Sequence, residues 1–313
     1  MLRPTSLGLV ALSLTVSLPA TVMATPEGWS PLLEPAELAA ILDADDAVRV
    51  VHVTGAQDQL IPGAVFSPYA DWRGEAGNPG ALRSVTELGA VVTGLGIDAD
   101  TPVVVVHGGA NPSDMGAAAR VYWTLKSLGV EDLALLNGGF AAWTEAALPV
   151  ATEPADVAQS SFDPVWDASW YVGTEEVAAL TDSGEARIID SRPRGFFDGI
   201  DWSIARPGTV RNAENVVFAE FMDGNRMIDS ESAHAIAAAN GLTEAPLTVN
   251  FCNTGHWAAI NWFALSEVAG VDNTRLYAES MAEYAAGGHA LDNEPSRIAY
   301  LWHSTRKWVS DLF

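Results

Sequence analysis

One cysteine occurs in the chain of 313 residues, and the residues around it are arranged for nucleophilic chemistry. An apolar, β-prone run, Leu247-Thr-Val-Asn-Phe251, leads into Cys252. The polar loop Asn253-Thr254-Gly255-His256-Trp257 follows, and an alanine-rich stretch with helical spacing then runs to Gly270. That order places the sulfur at the carboxyl end of a strand, facing backbone N–H groups where a helix begins, a position that favours a thiolate and any negative charge added to it. The N–H groups of Asn253 to Ala258 can form a nest there. A thiolate so placed is a nucleophile toward electrophilic sulfur compounds, with a persulfide held in the loop. A lone cysteine is, by count alone, equally compatible with an inert core residue.

The neighbouring residues carry two readings each. His256 either donates a hydrogen bond or moves a proton near neutral pH, or is an exposed loop residue. Trp257 either walls a pocket or packs beneath the helix. His52, His107, His234, His289 and His303 lack metal-ligand spacing and are expected at the surface or satisfied in the interior, so neither a metal nor a cofactor is expected. Ser113, His107 and Asp114 are close in sequence, which does not supply the geometry of a triad. A phosphate-binding cysteine loop needs an arginine six residues after the Cys. Position 258 is alanine, which argues against phosphatase and arsenate reductase chemistry.

The elements that must hold this loop alternate. Val48 to Val53, Val103 to Val106, Ala186 to Asp190 and Leu247 to Phe251 read as strands, and Glu34 to Leu42, Ala117 to Leu128, Ser230 to Ala239 and Ala258 to Val268 as helices. Strands alternating with helices predict an α/β fold of mainly parallel sheets with helices on both faces. The halves also read as a divergent repeat. Leu60-Ile-Pro-Gly-Ala-Val65 echoes Ala205-Arg-Pro-Gly-Thr-Val210, Val103 to Val106 matches Leu247 to Phe251, and Leu136-Asn-Gly-Gly-Phe-Ala-Ala-Trp143 matches Tyr277 to Tyr284, in the same order. This alignment puts Gly108 at the position of Cys252. The expected organisation is a first domain over 25–150, a linker over 151–169 and a second domain over 170–313 whose tail, with Trp302 and Trp308, packs back as a helix.

Residues 1–24 read as a secretory signal peptide, with Arg3, an apolar run from Leu7 to Leu18, and small residues at Val22-Met-Ala24. An uncleaved membrane anchor is the alternative, set against a run shorter than the roughly 20 residues a span needs; no later segment is long and apolar enough to cross a bilayer, so no stable membrane insertion is expected after cleavage. The implied localisation is periplasmic or secreted, where a single Cys cannot form an internal disulfide. With 16 basic and 40 acidic residues the net charge is −24, which argues against nucleic acid as a partner.

The second half resembles a rhodanese-type sulfurtransferase domain in its strand end Ile189-Asp190-Ser191-Arg192, its Pro207-Gly208 turn leading to Asn212, and its Cys252 loop before a helix. The first half resembles the same fold without the nucleophile, through Leu136 to Trp143. The resemblance implies two rhodanese-like domains, with the catalytic Cys in the second only and the sulfur carried by the loop Cys252 to Trp257. It implies a sulfurtransferase that moves a sulfane sulfur from an anionic donor, of the thiosulfate or 3-mercaptopyruvate type, to a thiol, cyanide or sulfite acceptor. A non-catalytic periplasmic sulfur carrier or binding protein is the alternative. Asp190, Arg192, Arg194 and Arg206 are candidate anion-binding or structural residues, Arg192 pairing with Asp190 in the structural reading. Two positions depart from thiosulfate-using tandem relatives, which place basic residues where this chain has Phe196 and Thr254. Arg192, Arg194, Arg206 or Arg211 would have to reach the site from neighbouring loops to replace them.

Overall fold

Four consecutive valines, Val103–Val106, leave no polar face, and all four are buried in the middle of a parallel sheet. A strand covered on both faces is written this way. The computed structural model describes residues 25–45, 47–296, 298–300 and 305. The first half runs β1 (Leu32–Leu33), α1 (Pro35–Ala44), β2 (Arg49–His52), β3 (Val65–Phe66), α2 (Val85–Gly94), β4 (Val103–Val106), α3 (Met115–Ser127), β5 (Leu133–Leu136) and α4 (Gly139–Glu145). Its strands pair in parallel in the order β1-β5-β4-β2-β3. Val103 and Val105 face α2 and α3, whereas Val104 and Val106 face α1 and α4, so alternate side chains of one strand serve two hydrophobic layers.

The second half continues with α5 (Thr174–Ser183), β6 (Arg187–Asp190), the single turn α6 (Arg194–Phe197), β7 (Thr209–Val210), β8 (Glu214–Asn215), β9 (Met222–Asp223) and β10 (Arg226–Met227). Then come α7 (Ser230–Ala239), β11 (Thr248–Phe251), α8 (His256–Phe263), β12 (Thr274–Leu276), α9 (Ser280–Ala286) and β13 (Leu291–Asp292). The main sheet, β12-β11-β6-β8, is parallel throughout, and β13 pairs antiparallel with β7. Its strand order repeats that of β5-β4-β2-β3. The fold is therefore α/β, with two mainly parallel sheets and helices on both faces. The expected helix over 258–268 begins at His256 and gives way to a π-helical turn over Ala264–Val268.

Helices α3 and α8, each following the central strand of its sheet, lie against one another. Almost every residue of α3 is buried, as expected of a helix enclosed between its own sheet and a second layer. Tyr122 meets Phe263 edge-on with ring centroids 5.0 Å apart. A side chain on Gly116 would stand 2.7 Å from the carbonyl oxygen of His256, so glycine permits the contact. The two halves share one hydrophobic core across this interface. The segment between them is laid along the first half by its backbone: Ala155 N donates to Ala64 O (2.8 Å), Ser160 N to Thr93 O (3.0 Å) and Asp167 N to Ser127 O (2.7 Å). Residues 1–24, Trp302 and Trp308 lie outside the described residues, among which no helix is long and apolar enough to cross a membrane.

Two histidines lie inside the first half. His52 Nε2 accepts from Ile61 N at 3.2 Å. His107, just past β4, is 0% exposed and neither ring nitrogen has a partner among the described residues, so it is neither a surface nor a satisfied residue, contrary to expectation. Burial lowers both pKa values to about 4, helped in His52 by His107 and opposed in His107 by Asp114. Below the ordinary value of about 6.5 the unfolded chain takes up these protons and the folded chain does not. Stability held above that pH is therefore lost as pH falls toward about 4. Thermal unfolding at pH 7 and pH 5 should show this loss, and His107→Leu should reduce the difference. Gly116→Val should destabilise by about 1–3 kcal/mol in urea titrations; an unchanged midpoint would mean that α3 and α8 do not meet this closely.

Candidate active site

Strand β11 is central, with Phe251 in register with Asp190 of β6, and Cys252 follows it directly, 1% exposed. The turn after it is bound to the start of α9 by one hydroxyl and by two backbone bonds. Ser280 Oγ accepts from Cys252 N and Gly255 N, both at 3.1 Å, and donates to Tyr277 O at 2.8 Å. Met281 N and Ala282 N donate to the carbonyls of Cys252 and Asn253. Gly255, at φ +72°, lies so close to Ala278 O and Arg120 that a side chain there has no room. The N–H groups of Asn253, Thr254, His256 and Trp257 have no acceptor among the described residues. They remain as unengaged donors where α8 begins, the position at which a helix end favours negative charge.

Asp190 and Arg192 form a buried ion pair beside this loop, with Arg192 Nη2 2.6 Å from Asp190 Oδ2 and side chains 1% and 0% exposed. Arg192 also donates to Gly208 O (2.7 Å) and to Asn253 Oδ1 (3.0 Å), while Thr209 Oγ1 donates to Asp190 (2.7 Å). Its fork is thus committed to holding β6, the Gly208 turn and Asn253 together. Arg194 bonds Asp198 in solvent, Arg206 bonds Glu294 and the carbonyls of Ala285 and His289, and Arg211 faces Asp182. None of these three supplies the charge missing at Phe196 and Thr254.

The first half reaches the loop instead, through Tyr69, Arg73 and Arg120, which no sequence motif marks. Arg73 Nη2 donates to Thr254 O at 2.9 Å, and the Arg73 guanidinium lies 4.8 Å from the Tyr69 ring centre. Arg120, 0% exposed, abuts Gly255 and donates to Gly80 O at 3.1 Å. A charge in the otherwise apolar segment Met115 to Leu125 was the one available signal for it. Burial lowers the pKa of Arg120 and raises that of Tyr69, and the charge of Cys252 acts on both.

His256 is not an exposed loop residue. Its Nδ1 lies 3.2 Å from Tyr69 Oη and its Nε2 3.1 Å from Ser113 Oγ, which also accepts from Trp257 Nε1 at 2.7 Å. Burial, with Arg73 next in weight, lowers its pKa to about 4, so at neutral pH the ring is uncharged and both nitrogens are engaged. Trp257 stacks on Phe218 at 5.3 Å and meets Phe196 edge-on at 5.9 Å. Ser113 therefore pairs with the histidine of the other half, not with His107. Asp114 turns back on its own loop, accepting from Ala110 N (2.8 Å) and Asn111 Nδ2 (3.0 Å). Among the described residues no cluster of His, Cys, Asp and Glu could hold a metal.

Comparison with known proteins identifies the family and the fold. The family described as the rhodanese-like domain matches residues 32–146. An inferred thiosulfate sulfurtransferase of Synechococcus elongatus is 27% identical over 249 residues, covering 76% of each chain. Another, from Mycolicibacterium smegmatis, is 31% identical over 201 residues, which cover 60% of this chain and 70% of that relative. The solved structure of SseA from Escherichia coli, described among 3-mercaptopyruvate sulfotransferases with the rhodanese fold, superposes with a TM-score of 0.71 at 22% identity, covering 80% of this chain and 98% of its own. The chain belongs to the rhodanese-like sulfurtransferase family and is a sulfurtransferase.

Proposed function

We propose that Cys252 carries the transferred sulfur as a persulfide. The Cys252 thiolate attacks the sulfane sulfur of an anionic donor of the thiosulfate or 3-mercaptopyruvate type. A Cys–S bond forms, the donor's bond to that sulfur breaks, and the leaving group (sulfite, when thiosulfate is the donor) departs with the electron pair. A thiol, cyanide or sulfite acceptor then attacks the outer sulfur and regenerates the thiolate. The carrying observation is the set of unengaged N–H donors, from Asn253, Thr254, His256 and Trp257, around a cysteine at the end of a central strand. Donors fixed before the charge arrives need no reorganisation when it does.

Within this reading the division of labour is one nucleophile in the second domain, 170–313, and supporting groups from the first, 25–150, joined through 151–169. Residues 1–24 direct export, and the working protein is periplasmic or secreted; the test is an intact mass beginning at Thr25 in the exported fraction. His256 positions the first turn of α8 through Tyr69 and Ser113 and transfers no proton.

Incubating the protein with thiosulfate or 3-mercaptopyruvate and recording its intact mass should show a gain of one sulfur atom, absent in Cys252→Ser. An adduct that no acceptor removes would identify a carrier, and no adduct with any donor would sink the proposal. For His256→Gln, the rate of persulfide formation should keep the wild-type pH profile between pH 6 and 8, even where misplacement of α8 lowers it by up to about 100-fold. Loss of an inflection in that range would make His256 a proton donor or acceptor.

A further inference from the structure

The acidic surface poses a problem for a site that takes anions, since a net charge of −24 repels them. Screening confines this field to about 8 Å at physiological ionic strength, so the charges next to the loop decide whether an anion enters. Three cations stand there, and they differ in what they can offer. Arg192 is neutralised by Asp190. Arg120 is fully buried behind Gly255, donates to main-chain carbonyls and is influenced by Glu279, so it contributes a field but no accessible N–H. Arg73 is half-buried, with Nε on Pro79 O at 2.7 Å and Nη2 on Thr254 O at 2.9 Å. Carbonyl acceptors and the Tyr69 ring fix its guanidinium without cancelling its charge, and its Nη1 has no acceptor among the described residues. Apart from Arg49, Arg73 and Arg120, every described basic side chain lies within ion-pair distance of a carboxylate. Two of these three exceptions therefore converge on the Cys252 loop.

We propose that Arg73 receives the negatively charged group of the sulfur donor, so that the half lacking the nucleophile selects anionic donors for the half that carries it. The inference rests on the sulfur-transfer reading of Cys252 and adds the residue that determines donor class. Thr254 occupies the place where a basic residue would stand two positions after the cysteine, and Arg73 lands on the carbonyl of that same residue. Two residues of chain span at most about 7.6 Å between Cα atoms, so the guanidinium lies within reach of a small donor whose other end is at the sulfur. A guanidinium held in place by its Nε and Nη2 offers its charge and its unengaged Nη1 to a carboxylate or to the terminal oxyanion of thiosulfate.

Alkylation of the only cysteine tests this without requiring sulfur transfer. Second-order rates with iodoacetate, an anion, and iodoacetamide, its neutral counterpart, should give a wild-type ratio above that of glutathione at the same pH. In Arg73→Gln the ratio should fall about tenfold at low salt, while the iodoacetamide rate, which reports loop integrity, stays within about twofold. Arg73→Lys should retain most of the ratio, and added salt should collapse it in wild type only. With thiosulfate, Arg73→Gln should raise KM about tenfold and leave kcat nearly unchanged. An unchanged alkylation ratio in Arg73→Gln, or a wild-type ratio no higher than that of glutathione should the variant not fold, would overturn the role of Arg73. If no persulfide forms yet the ratio shifts as expected, the sulfur-transfer reading fails and the anion receptor stands.

Discussion

The contact between Gly116 of α3 and the first turn of α8 is the constraint on which the site depends. A side chain at 116 would meet both the carbonyl and the ring of His256, and the distance that glycine allows lets residues of the first half touch a loop in the second. Ser113, just before α3, then meets both His256 and Trp257, and Arg120, one turn along α3, comes to lie behind Gly255. Close-packed interiors do not tolerate gradual adjustment, so these contacts stand or fall together. The shared core that results makes the pair of sheets one structural unit in which the loop between them is built from both sides.

The two corresponding loops show how one topology gives different surroundings. Each follows a central parallel strand, where ligands of open α/β sheets bind. In the first half Asp114 folds its carboxylate onto Ala110 N, and Thr54 Oγ1 takes Gly108 N, so the chain's own side chains occupy donors that a ligand would need. In the second, Ser280 takes two N–H groups and leaves the others of the turn open. A hydroxyl carries no charge, so it anchors the turn without competing electrostatically with a sulfur anion. The first loop thus differs from the second by a filled cradle as well as by the lack of a thiol.

What the sequence made legible was local. Cys252 stands out because strand, cysteine, glycine turn and helix are contiguous, and the Asp190–Arg192 pair is two residues apart. Tyr69 and Arg73 are separated from the loop by more of the chain than either domain contains, and no periodicity connects them to it. Ser113 is close to His107 in sequence, yet its partner is His256, because the loop before α3 turns toward the other half. The π-helical turn after Phe263 was invisible because five residues, Ala264–Val268, are too few to show a period of their own. The connecting segment carried no pattern for a related reason: backbone groups pin it to Ala64, Thr93 and Ser127, and these bonds are indifferent to side-chain type.

Charge placement completes the physical account. Burying Arg120 without a bonded carboxylate is costly in a low-dielectric interior, and its Nε is unpartnered. Glu279, nearby and itself buried, has a raised pKa and one oxygen without a partner. Bringing these two groups into full contact would satisfy both and would also cancel the positive field behind Gly255. Their separation leaves that field directed at the Cys252 loop. An acidic exterior then favours solubility, while two cations are held by main-chain carbonyls beside the loop, Arg120 fully buried and Arg73 half-buried and open to screening by salt.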